Sequence, residues 1–389
     1  MINYENLIQE RVQRVKPSGI RKFFDIAATM DDVLSLSIGE PDFITPWNVR
    51  EAGIDSLVKG HTYYTSNAGM LELRRGICQY YERNFGVHYP DETHALVTVG
   101  GSEAIDLCIR ALIGVGDEVI IPEPSFVCYA PLTEIVGGVP VGIATKAENE
   151  FRLTAEELRA AITPKTKLLI LPYPGNPTGA VMEKKDLEAI AEVLRGTDIM
   201  VLSDELYAKL TYGGTHVSIA SIEGMWERTI VVNGFSKAFA MTGWRIGYAL
   251  GPAPIIKAMT KLHQFAIMCA PTTAQEAALE ALSEKTDEAV QDMVEEYDAR
   301  RKMLLERFRK MGLPCFEPKG AFYIFPCIKQ FGMTSEEFCE KFLYEEHVAV
   351  VPGSAFGESG EGFVRISYAK SMADLSKAMD RLERFLSKL

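Results

Sequence analysis

A chain of 389 residues is long enough for about two or three domains of ordinary size, and its formal charge of −12 repels a phosphate backbone, so nucleic acid is not expected as a partner. With 47% hydrophobic and 24% charged residues it sits among globular proteins, outside the disordered and fibrous ranges. No run approaches the ~18 apolar residues that span a bilayer, no basic segment leads into an apolar one at the N-terminus, and the 7 scattered cysteines form no C-x-x-C pair; neither membrane, disulfide framework nor metal site is expected, and the cytoplasm is the expected compartment.

From the N-terminus, Lys16-Pro17-Ser18-Gly19-Ile20 leads into an apolar segment around Phe23, Phe24 and Ile26. A strand-like run over 33–38 follows and ends at Gly39-Glu40-Pro41-Asp42, which together read as an N-terminal arm. Between about 69 and 250, helical patterns alternate with β-rich runs at 94–99, 118–121, 139–144, 167–171, 199–202, 229–232 and 245–250. That alternation predicts an α/β domain on a mostly parallel sheet. The segment 286–310 carries apolar residues near helical spacing with no Gly or Pro, and reads as one long connecting helix. Beyond it, β-like runs at 321–325, 348–351 and 362–368 and helices at 335–345 and 372–386 make a small α+β domain, which the arm is expected to join. The expected division is a large domain over 45–285, with 1–44 and 286–389 forming the arm and small domain.

Three motifs fall just beyond the C-terminal ends of predicted strands, where open α/β sheets place their ligand crevice. They are Pro174-Gly175-Asn176-Pro177-Thr178-Gly179, Ser203-Asp204-Glu205-Leu206-Tyr207 and Gly234-Phe235-Ser236-Lys237; a fourth, Gly100-Gly101-Ser102-Glu103, opens a helix. Taken singly, each has an ordinary structural reading: a turn, a helix cap, a solvated lysine. Their joint order and spacing carry more.

In that order the sequence resembles the fold-type I aminotransferases of class I/II, most closely the prokaryotic aromatic/aspartate branch. The match runs from Ser37-Ile38-Gly39-Glu40-Pro41-Asp42-Phe43 through the motifs above and Thr242-Gly243-Trp244-Arg245-Ile246-Gly247 to Gly320-Ala321-Phe322-Tyr323 and Val364-Arg365-Ile366-Ser367. The resemblance implies a large domain with a mostly parallel central sheet beside a smaller α+β domain. It implies pyridoxal 5′-phosphate held as a Schiff base to Lys237, with Asp204 on the pyridine nitrogen and Asn176 and Tyr207 on the phenolic oxygen. Lysine suits this role because its pKa falls readily on desolvation, and a buried carboxylate keeps a pyridine nitrogen protonated.

By the same resemblance, Gly101, Ser102 and Glu103 at a helix start, with Ser236 and Arg245, close a cup around the phosphate. Many relatives carry a serine three residues before the lysine, where this chain has Gly234, a departure that bears on the assignment of Ser236. Phe126 matches a ring stacked on the pyridine, and Tyr64 a tyrosine lent to the partner's site, which implies a homodimer with shared active sites. Arg365 matches the residue that clamps the substrate α-carboxylate, with Gly39 and Asn176 alongside; a structural ion pair is its alternative. Ile20 is a candidate apolar lid.

The implied activity is ping-pong transfer of an amino group from an L-amino acid to a 2-oxo acid such as 2-oxoglutarate (an EC 2.6.1 reaction). Ser102 stands where some aspartate-specific relatives carry a lysine, which tilts the donor toward aromatic or broad-range amino acids. An aspartate-preferring enzyme, or a carbon–sulfur β-lyase on the same scaffold, are the alternatives.

Overall fold

Runs of branched and apolar residues, buried on both sides, build the centre of the molecule. The computed structural model describes residues 2, 4, 7–17, 19, 26, 30 and 32–389. After β1 (Leu34–Ser35) come β2 (Ala95–Thr98), β3 (Glu118–Glu123), β4 (Val139–Ala144), β5 (Thr166–Leu171), β6 (Met200–Asp204), β7 (Thr229–Gly234) and β8 (Gly247–Leu250). Strands β2 to β8 form one sheet in the order β2-β8-β7-β6-β5-β3-β4, in which β8 alone runs against its neighbours. Every residue of β7 is buried, as is every residue of β5 except Lys167, the pattern of strands covered by helices on both faces.

The fold is therefore the α/β architecture that the sequence predicts, and each of the seven β-rich runs is a strand. Their ends move by a residue or two, with one consequence: Ser203 and Asp204 close β6 and Gly234 closes β7, where the motifs had been placed just beyond the strands. The long helix spans Glu284–Met311, buries Val290, Met293, Tyr297, Leu304 and Phe308 along one face, and stops at Gly312 in the left-handed conformation that a helix C-terminus favours.

The C-terminal strands are β9 (Tyr323–Ile324), β10 (Val348–Ala349), β11 (Val351–Pro352) and β12 (Val364–Ser367). β11, β12 and β9 make an antiparallel sheet, while β10 pairs in parallel with β1. The single run predicted at 348–351 is thus two short strands with different partners. The arm joins this part through backbone bonds: Leu36 N–H donates to the Ala349 carbonyl and Ser367 N–H to the Leu36 carbonyl, each 2.8 Å. That stitching lays residues 37–39 beside Arg365 on β12. Among the described residues, no helix is long and apolar enough to cross a membrane.

Candidate active site

The C-terminal ends of β5, β6 and β7 and the start of the helix Gly100–Leu112 open on one cavity of about 250 Å³. Gly39, Gly101, Ser102, Phe126, Asn176, Asp204, Tyr207, Ser236, Lys237, Arg245 and Arg365 all line it. Residues 198 positions apart meet here: Lys237 Nζ donates to the Gly39 carbonyl at 2.6 Å. Burial lowers the Lys237 pKa to about 8, because a charged ammonium loses hydration there. Its ammonium lies 5.9 Å from the Tyr207 ring and 5.8 Å from Phe322. Gly39 is glycine by contact, since a Cβ there would come 2.2 Å from the Tyr323 hydroxyl.

Asp204 is buried at 9% exposure. Its Oδ2 accepts from the Tyr129 hydroxyl at 2.7 Å, and its Oδ1 accepts from Leu206 N–H at 3.2 Å. Burial raises its pKa while these two donors pull the other way. Such a carboxylate, desolvated and incompletely matched by donors, favours a cationic N–H partner. The Tyr207 hydroxyl is 2.8 Å from that of Tyr323, and Phe126 stands edge-on to Tyr129 with centroids 6.0 Å apart.

The start of the helix Gly100–Leu112 brings backbone to the cavity at Gly101 and Ser102. Gly100, at φ +74°, begins the helix against the Arg245 guanidinium, and a Cβ at Gly100 would come 2.5 Å from Arg245 Nη2. Arg245 also donates to the Thr242 carbonyl at 3.1 Å, and among the described residues no carboxylate pairs with it. A helix start, an unpaired guanidinium and the hydroxyls of Ser102 and Ser236 make a cradle suited to a phosphate dianion. Gly234 has a packing reason: a Cβ there would meet Gly247 Cα at 3.0 Å and the Ile246 carbonyl at 3.2 Å. A serine at this position would need the neighbouring backbone to shift.

Glu103, expected in the cup among the donors of the helix start, has its side chain engaged elsewhere. It does not line the cavity; its carboxylate turns back to accept from Val99 N–H and to meet His263 Nδ1 at 2.7 Å. An acidic side chain in the first turn gains more from capping its own helix than from facing a second anion.

Arg365 is buried at 3% exposure. It donates from Nη1 to Asn176 Oδ1 at 2.9 Å and from Nη2 to the Ser37 carbonyl, while its Nε has no partner. Its guanidinium lies over Tyr323 at 4.6 Å and Phe356 at 4.8 Å. The ion pair weighed as its alternative is absent among the described residues. A buried cation with an unused N–H and no counter-charge is built to receive an anion.

Two predicted residues stand apart. Tyr64 is 81% exposed and does not line the cavity, and Ile20 lies outside the described residues. The residues that sequence reasoning missed are Tyr129 and Tyr323. Tyr129 follows Phe126 by three residues and Tyr323 closes the Gly320-Ala321-Phe322-Tyr323 match, yet no local signal announces hydroxyls reaching Asp204 and Tyr207.

This arrangement, an amine of lowered pKa facing a buried carboxylate and two unpaired guanidiniums in one α/β crevice, defines a site for anionic substrates handled through nitrogen chemistry. The sequence model of "Aminotransferase class I and II" matches residues 31–382. The chain is 49% identical over 381 residues to the aspartate aminotransferase of Pyrococcus abyssi, covering 97% of this chain and 98% of that one. It is 46% identical over 381 residues to the aromatic-amino-acid aminotransferase 2 of Thermococcus litoralis, covering 97% and 98%. Among solved structures, it is similar to the aspartate aminotransferase of Thermus thermophilus with maleate, at a TM-score of 0.93 and 40% identity over 97% and 99% of the two chains. The chain belongs to the class I and II aminotransferases and has their fold-type I architecture. It is an enzyme that transfers amino groups between amino acids and oxo acids.

Proposed function

We propose that this aminotransferase binds pyridoxal 5′-phosphate in the cavity through Lys237, and that it prefers aromatic or a broad range of L-amino acids as donors, with 2-oxoglutarate as an acceptor. The observation that supports the reading most strongly is the shared lining: the amine of Lys237, the carboxylate of Asp204 and the unpaired guanidiniums of Arg245 and Arg365 face one volume.

When bound, the cofactor supplies an electron sink that stabilises charge at the substrate Cα. The chain's residues do the rest. Arg245, the Gly101 and Ser102 helix start and the Ser236 hydroxyl hold the phosphate. Asp204, fixed by Tyr129, accepts from the ring nitrogen; Tyr207 and Asn176 donate to the phenolic oxygen; Phe126 covers one ring face. Arg365 takes the substrate α-carboxylate with Nε and a second N–H, beside Asn176 and Gly39. Lys237, its pKa lowered to about 8, is a free amine often enough near neutral pH to take the substrate Cα proton, which it would pass on to the cofactor rather than back to Cα.

Donor preference follows from what the cavity lacks. Position 102 is a serine, and among the described residues the lining offers no cation beyond Lys237, Arg245 and Arg365 for a second carboxylate. Ile20 remains a proposed apolar lid. The exposed Tyr64 supports a homodimer in which each chain lends that hydroxyl to the other's phosphate; a cytoplasmic enzyme of two parts, 45–285 and 1–44 with 286–389, completes the reading.

Titrating the apo-protein with pyridoxal phosphate tests the proposal. A saturable near-visible absorbance band should form, be missing in Lys237→Ala, and bleach in single turnover fastest with aromatic donors. A Lys237→Ala protein that kept both the band and full turnover would refute the lysine assignment. Fastest bleaching by aspartate would refute the donor assignment alone.

A further inference from the structure

One buried charge beside the site has no part in the scheme above. Glu205 follows Asp204 directly, is fully buried at 0% exposure, and does not line the cavity. A carboxylate so placed is costly unless its oxygens are filled with donors. Here they are: Oε1 accepts from Ser203 Oγ at 2.8 Å and Ser218 Oγ at 2.6 Å, and Oε2 accepts from the Tyr81 hydroxyl at 3.2 Å. His216 Nε2 lies 3.1 Å from Oε2, off the line of a hydrogen bond.

The network does not stop at the carboxylate. The Tyr81 hydroxyl accepts from Asn233 Nδ2 at 2.7 Å, and Asn233 Oδ1 accepts from Gly234 N–H at 2.7 Å. The Glu205 N–H meanwhile donates to the Val232 carbonyl at 2.8 Å. Glu205 is therefore joined twice to the end of β7: once through backbone, and once through Tyr81 and Asn233 to the peptide three residues before Lys237. Its own chain neighbours are Asp204 on one side and the turn to Tyr207 on the other. The strand end bearing the ring-nitrogen partner and the strand end bearing the amine are pinned by one side chain.

We propose that Glu205 is a positioning residue for amino-group transfer, its hydrogen-bond network setting the Asp204–Tyr207 turn against the Ser236–Lys237 turn. The proposal rests on the reading that the cofactor sits between Lys237 and Asp204. Sites of this kind depend on supporting groups that hold reacting atoms within fractions of an ångström, and a fully satisfied polar network fixes position where apolar packing tolerates slippage.

Three variants of the full-length enzyme test it. Tyr81→Phe keeps the ring and cuts the path from Glu205 to Asn233; Glu205→Ala removes the network's centre; Glu205→Gln keeps its shape and one acceptor oxygen but puts an NH2 donor in place of the other. We expect Tyr81→Phe and Glu205→Ala to lower kcat about tenfold with KM changed less than about twofold, and to weaken the circular dichroism of the lysine-bound cofactor, with Glu205→Gln, which keeps the shape and one acceptor, falling between Glu205→Ala and the wild type. Lowered melting temperature with wild-type kcat and dichroism would show a purely structural role and overturn the proposal. Should Glu205→Ala fail to fold, Tyr81→Phe decides. Failure of the wild type to form any lysine-bound cofactor band would instead strike the underlying reading.

Discussion

Arg300 and Arg301 on the long helix and Arg365 on β12 are all nearly inaccessible, at 4%, 5% and 3% exposure, yet the two regions treat them differently. Arg300 pairs with Asp42 at 2.8 Å and Glu296 at 3.0 Å, and Arg301 with Asp298 and Glu317, each at 2.7 Å. Burial acts against both charges, but these carboxylates overcome it and raise both pKa values above the ordinary. At Arg365 burial is opposed only by the Tyr323 and Tyr207 hydroxyls, and the pKa falls below the ordinary. The helix pairs its arginines with carboxylates of the chain; the strand leaves Arg365 with no such partner among the described residues, as the proposed substrate role requires. A buried charge is thus a structural statement when its partner comes from the chain, and a functional one when the partner is missing.

The comparison is tested hardest at Arg365. Replacing it by Met should cut kcat/KM for amino acids by roughly 10²–10³-fold, the scale of a lost buried charge pair, while leaving the melting temperature unchanged or higher. A loss under about tenfold accompanied by a clear drop in stability would place Arg365 with the structural arginines. Arg300→Met should behave the opposite way, losing about 1–3 kcal/mol of stability, because Asp42 and Glu296 are left without their cation, with turnover much less affected. Equal damage to turnover from both variants would erase the distinction.

A smaller effect concerns Lys237. Its pKa of about 8 lies below the ordinary lysine value, so the capturing free amine grows as pH rises through that value and then levels off. Stopped-flow capture of pyridoxal phosphate by the apo-protein should accelerate about tenfold between pH 7 and 9, as the fraction of free amine does. Acceleration continuing to pH 10.5 would mean an amine exposed to solvent.

Much of this site was readable from the sequence because its chemistry sits at strand ends, where local pattern and short motifs coincide. Asn176, Asp204 and Lys237 lie in such motifs, whereas Arg245 and Arg365 were expected from the family resemblance; all five line the cavity. What escaped was long-range or carried by backbone. Tyr129 reaches Asp204 across 75 positions, and the carbonyl that holds Arg365 belongs to Ser37, 328 positions away, an atom every residue has. The direction of the Glu103 side chain was not legible either, because adjacency to Gly101 and Ser102 says nothing of which way a side chain turns once the helix has begun. The run at 348–351 split because β-like sequence does not reveal that its two halves pair with different strands.

The central claim is the identity of the amine that carries the cofactor. Loading the wild-type protein with pyridoxal phosphate, reducing it with borohydride and mapping the adduct by peptide mass spectrometry addresses it directly. The account predicts a single phosphopyridoxyl group on Lys237; its appearance on any other lysine, with residue 237 unmodified, would contradict it.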